Sequence, residues 1–145
     1  MSGYDQQKIN VYKGYIGERL GTKFLNNQGY EIQSYMVLVD FIMNHPHGKS
    51  PLHEFMGSKK NDFIEMNNAF NKIYSGQERK RRRFDFVAKK GDDYYVVEVK
   101  TNEARLSKSQ KRDLQLAKNF GFTPLLVKTK VKLVANLEDV TTTFL

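Results

Sequence analysis

The chain has 145 residues, no cysteine, and a formal net charge of +8 from 24 Lys and Arg against 16 Asp and Glu. Disulfides and thiolate metal sites are thereby excluded, and no apolar run is long enough for a membrane span or reads as a secretory leader. These quantities favour one soluble, cytoplasmic domain with a real core and an anionic partner such as nucleic acid.

Residues 1–8 are polar and read as a frayed tail. From Val11 to Asn27 the pattern is helical, with Ile16, Leu20 and Phe24 at four-residue spacing and Gly29 as the stop. Glu18 lies on this helix among Gly14, Gly21, Val11 and Leu25, small or apolar company for an acid. Each interior glycine costs about 1 kcal/mol against Ala, so something is expected to approach closely. Glu18 reads either as an acid feeding a functional site or as a surface residue beside Arg19 and Lys23.

Tyr30 to Ile32 reads as a short strand. The apolar stretch from Ser34 to Asn44 has the length and Met-Leu content of a helix. His45 to Pro51 is a loop by its Pro and Gly content, and a further helix is expected from Asn61 to Tyr74. His45, His47 and His53 cluster around that loop. A structural zinc site takes four convergent ligands, so solvated loop histidines are the simpler reading.

The basic run Arg79-Lys80-Arg81-Arg82-Arg83 leads straight into Phe84-Asp85. Such a run is often only a solvated face. Its placement beside an acidic hairpin favours contact with a phosphate backbone, which adds affinity without sequence information. Residues 83–100 read as two strands around Gly91-Asp92, the Gly-first pattern of a type II′ turn. That register sets Lys90 against Asp93, Ala88 against Tyr95 and Asp85 against Glu98. Alternation then gathers Asp85, Glu98 and Lys100 on one face with Val87 and Val96, leaving Val97 and Val99 on the other. Like charges so placed repel, and an unpaired buried charge is costly; a divalent cation beside Lys100 would supply the partner.

Beyond a loop at 101–106, a helix is expected from Lys108 to Phe120, stopped by Gly121. Ser107 and Gln110 fit a capping box, and Gln110 is also placed to point toward the sheet near Lys100. Thr123 to Val131 reads as a strand, and Leu133 to Leu145 as a last strand or extended tail. The expected fold is α/β, a mixed sheet flanked by helices. No phosphate-binding loop of the Walker type is present.

Asp85 followed by Glu98-Val99-Lys100 at the end of an apolar strand resembles the signature of the PD-(D/E)XK nuclease superfamily. With its flanks it is most similar to archaeal Holliday junction resolvases and restriction-like endonucleases. Phe84 departs from that pattern, where the family often has Pro. The resemblance implies a restriction-endonuclease-like fold in which 34–75 is a helical insertion between the first strand and the catalytic hairpin, shaping substrate or forming a dimer. It implies that Asp85, Glu98, the backbone carbonyl of Val99 and Glu18 hold Mg²⁺, with Mn²⁺ able to substitute. Lys100 then assists the attacking water or the scissile phosphate, and Gln110 stands near the active site. It also implies DNA as substrate, a homodimer, and a role in recombination or repair. The rival readings are a non-catalytic nucleic-acid-binding protein and, with less support from the residues, a partner-binding regulator.

Overall fold

The computed structural model describes residues 3–75 and 83–132. Helix α1 (Gly3–Asn27) leads to strand β1 (Glu31–Ser34), then helices α2 (Tyr35–Asn44), α3 (Pro51–Met56) and α4 (Lys60–Ile73). The hairpin β2 (Phe86–Lys90) and β3 (Asp93–Thr101), helix α5 (Lys108–Asn119) and strand β4 (Thr123–Thr129) follow. The strands form one sheet in the order β1-β2-β3-β4. The first two pairings are antiparallel and β3 runs parallel to β4, with α5 as the crossover. The mixed α/β sheet expected from the sequence is therefore present.

The hairpin adopts the register read from its residues: Lys90 pairs with Asp93 and Ala88 with Tyr95. Gly91 has φ 61°, the left-handed value a type II′ turn requires at its first central position. Alternation separates the two faces. Val87 and Val96 enter the larger core with Leu38, Ile42, Phe63, Met66, Phe70 and Phe84. Ala88, Val97 and Val99 enter a smaller core with Leu25 of α1 and Val127 of β4. Segment 34–75 thus supplies most of the larger core, so it is a structural layer of the domain rather than an appendage.

Several boundaries differ from the sequence reading. Helix α1 begins at Gly3 instead of fraying to residue 8; among its polar residues Gln6 Nε2 donates to Asn10 Oδ1 at 3.0 Å, an i,i+4 pair that supports the helix. The expected loop to Pro51 gives way to α3, which Pro51 opens at its first turn and Ser50 caps. His53 is buried rather than solvated: its Nδ1 bonds Ser50 Oγ and its Nε2 bonds the carbonyl of His45, each at 2.6 Å. Strand β2 starts at Phe86, three residues after the expected Arg83, and β4 ends at Thr129, short of Val131. The expected final strand or tail, 133–145, lies outside the described residues, as do Arg79, Lys80, Arg81 and Arg82.

The glycines of α1 divide by environment. A Cβ at Gly17 would overlap Thr101 Oγ1 and come within 2.7 Å of Thr129 Oγ1; one at Gly21 would press on Val99 at 3.3 Å. These two positions let α1 lie close against the ends of β3 and β4. A Cβ at Gly14 would meet nothing within 4 Å. Gly17→Ala should therefore lower Tm, because an overpacking cost of about 1–3 kcal/mol exceeds the helix-propensity gain of about 1 kcal/mol. Gly14→Ala should raise it, by up to about 1 kcal/mol of stability. Thermal unfolding of both variants checks the assignment of the close approach to Gly17.

Candidate active site

The regular β2–β3 ladder stops at Phe86↔Val97, one residue short of Asp85. There the backbone N–H of Asp85 still donates to Val97 O at 3.0 Å, while its carbonyl accepts from Tyr35 N at the start of α2. Asp85 Oδ2 takes the N–H of Val99 at 2.7 Å. A side-chain oxygen thus replaces a backbone acceptor, which fixes the Asp85 carboxylate at the end of the hairpin. The next carboxylate, Glu98, precedes Val99 directly. Asp85 is 6% and Glu98 4% exposed, so the two acids are buried as neighbours.

Both line one open cavity of about 700 Å³ together with Val99, half-buried Lys100, Glu18 and Gln110. The residues that the resemblance placed in the catalytic and metal site thus line one cavity, while His45, His47 and His53 do not. The positions come from separate elements: Asp85 from the entry to β2, Glu98 to Lys100 from β3, Glu18 from α1 and Gln110 from α5. Glu18 arrives from the side of the sheet that α1 covers, where Gly21 meets Val99. Glu98 belongs to the opposite face, that of Val96. Consistent with that separation, no group of three His, Cys, Asp or Glu among the described residues converges as a metal cluster.

Gln110 performs a structural task at the same time. Its Oε1 accepts the N–H of Ser107 at 2.9 Å, and Ser107 Oγ accepts the N–H of Gln110 at 3.1 Å, closing the expected capping box. Arg83, the described member of the basic run, is not part of the cavity lining. It stacks over Tyr74, with its guanidinium carbon 3.6 Å from the ring centroid.

The cavity is also lined by residues that the sequence reading passed over. Asn10 and Lys13 are presented by α1, beside the Gly14 already noted as a neighbour of Glu18, and Asn102 follows β3. Asn102 adopts φ 57°, donates its N–H to Thr129 O and accepts Val131 N–H at Oδ1, joining the mouth of the cavity to the end of β4. Asn10, Gly14 and Glu18 recur at four-residue spacing, so a helical-face reading extended toward the N-terminus would have found Asn10.

The donor set suits a hard cation. It offers two buried carboxylates and a third acid on the cavity wall, and neither Cys nor His is among the lining residues. Mg²⁺ keeps several waters and takes one or two carboxylates plus substrate oxygens, so two neighbouring acids without a closed three-acid cage fit it.

Comparison with known proteins is consistent with this geometry. A family model described as a PD-(D/E)XK superfamily domain matches residues 59–142, more than half of the chain. The matched stretch holds Asp85, Glu98, Val99, Lys100 and Gln110, and Glu18 lies before it. No curated protein and no solved structure matches the chain.

The double role of Gln110 can be divided. Gln110→Glu keeps a side chain that completes the capping box, whereas Gln110→Ala removes it. We expect the Glu variant to melt near the wild type and the Ala variant to lose about 0.3–1.5 kcal/mol, as read by thermal or denaturant unfolding.

Proposed function

Because the chain belongs to the PD-(D/E)XK superfamily, made up mostly of nucleases, we propose that it is a Mg²⁺-dependent endonuclease hydrolysing phosphodiester bonds in DNA. The observation that carries this reading is the gathering of Asp85, Glu98 and Lys100 on one cavity at the end of the hairpin. Its supports are the hard-oxygen donor set and the net charge of +8, which draws a polyanion. Asp85 and Glu98 would hold Mg²⁺, with the Val99 carbonyl and Glu18 as the further candidates from the cavity wall, and the ion when bound would supply an acidified water and polarisation of the scissile phosphate.

The chain's own groups do the rest. The Val99 N–H holds the Asp85 carboxylate in one orientation, so that no reorganisation is needed when substrate arrives. The Lys100 ammonium, on the same face of β3 as Glu98, donates to the attacking water or to a phosphate oxygen as negative charge builds. Gln110, tethered through the cap of α5, presents its amide to the same space. Lys13 on α1 adds a cation to the wall where the backbone would enter.

A branched substrate of the four-way-junction type is the finer reading that the resemblance to resolvases supports. Symmetric resolution would take two copies of the chain, so a homodimer belongs to this proposal. Incubation with labelled linear and branched DNA, with and without Mg²⁺, tests both levels. Cleavage should require the metal and be lost in Asp85→Ala and Glu98→Ala while DNA binding persists; Lys100→Ala should reduce the rate by at least about 10²-fold. Binding without cleavage by the wild type under all metal conditions would instead identify a non-catalytic nucleic-acid-binding protein.

A further inference from the structure

Outside the cavity, the end of α4, the start of the hairpin and α5 meet at one phenol ring. Tyr74 donates its hydroxyl to Asp113 Oδ1 at 2.5 Å, and the Tyr74 hydroxyl oxygen accepts from Arg112 Nη2 at 2.6 Å. Arg83 lies over the ring with its guanidinium carbon 3.6 Å from the centroid, and that of Arg112 is 5.3 Å from the same point. The two guanidinium carbons are therefore within about 9 Å of each other, the most that these distances allow. Asp113 is buried and anchors the assembly from α5. Burial raises its carboxyl above the ordinary Asp range, against the pull of the Tyr74 hydroxyl and both arginines.

We propose that Arg83 and Arg112, held on Tyr74, form a two-point clamp for the phosphate backbone of the nucleic acid. This rests on the nuclease reading for the identity of the ligand but uses none of the residues of the cavity. A free arginine loses rotamer freedom when it binds; here stacking and the Tyr74 hydroxyl have already restricted both side chains. A guanidinium carries five N–H donors; stacking consumes none of those of Arg83, and the bond to Tyr74 engages only one nitrogen of Arg112, so each retains donors suited to phosphate oxygens. Arg112 is exposed and Arg83 half-buried, so at least one fork faces solvent.

The position in the chain gives the clamp its direction. Arg83 is two residues from Asp85, and Arg112 is two residues from Gln110, both on the cavity wall. Two residues span at most about 7 Å of backbone, and on a helix residues two apart do not face each other, so the clamp stands outside the cavity lining, where it would hold a strand beyond the acids rather than across them. A purely structural role, tying α4 to α5, accounts for the Tyr74–Asp113 bond. It gives no reason for a second, exposed arginine to be fixed on the same ring.

The test is equilibrium binding of a fluorescein-labelled DNA duplex by the full chain in EDTA, across a series of salt concentrations. Wild type is compared with Arg112→Gln, Arg112→Lys and Tyr74→Leu, with Tm measured for each. We expect Arg112→Gln to weaken binding several-fold and reduce the slope of log K against log salt by about 1 at unchanged Tm. Arg112→Lys should keep the slope and lose part of the affinity, since it keeps the charge but not the fork. Tyr74→Leu should weaken binding beyond what its loss of Tm explains. An Arg112→Gln protein with wild-type affinity and slope overturns the clamp, whatever becomes of Mg²⁺-dependent cleavage. Conversely, the expected binding pattern in a protein that never cleaves DNA supports the clamp while the nuclease reading fails. A wild type that binds no duplex overturns the clamp, and Mg²⁺-dependent cleavage of linear or branched DNA then decides the nuclease reading separately.

Discussion

Asp85 is held at the end of the hairpin by the N–H of Val99, the residue next to Glu98, and both carboxylates are buried on the lining of one cavity. Like charges so placed are unfavourable in a low-dielectric interior. A fold that keeps them there must meet their charge with something positive, and the groups around them are suited to that: Lys100 on the same face and a cavity wide enough for a hydrated ion. The chemistry proposed for the chain uses that gathering of two acids and a cation on one cavity.

The scaffold explains why the gathering lies at an open edge. On one side of the sheet, helices α2 to α5 build the larger aromatic core and seal Val87 and Val96 from water. On the other, α1 comes close enough to touch β3 and β4 because Gly17 and Gly21 carry no side chain. That approach carries Gly14 and Glu18 past the end of β3, where neither core extends. The gap between α1, α5 and the strand ends is the cavity, so the same packing that stabilises the domain leaves the acids accessible to a ligand.

Much of this could be read from the residues. The hairpin was legible because a Gly-first turn and the alternation of β2 and β3 define a register, and the register brings Asp85 toward Glu98. The capping box at Ser107 and Gln110 was legible because it is a local pattern. Other features were not. The bend at Asp85 depends on a tertiary partner, Tyr35 N, far away in sequence. The helix beginning at Pro51 was obscured by the Pro and Gly content of its neighbours, and His53 is buried through contacts with Ser50 and His45 that no spacing rule reveals. Tyr74 read simply as a helix end, since its meeting with Arg83, Arg112 and Asp113 joins three separate elements. The company of Glu18 suggested an acid beside the site, and the fold brings it to the cavity wall from the other side of the sheet, outside any three-acid cluster.

Thermal unfolding of the chain against Mg²⁺ concentration probes the central claim most directly, since an ion that binds only the folded state raises Tm as its concentration passes the dissociation constant. The account predicts a saturable rise in the wild type that is abolished in Asp85→Asn and Glu98→Gln. A Tm indifferent to Mg²⁺ and Mn²⁺, or an equal rise in both variants, would contradict it.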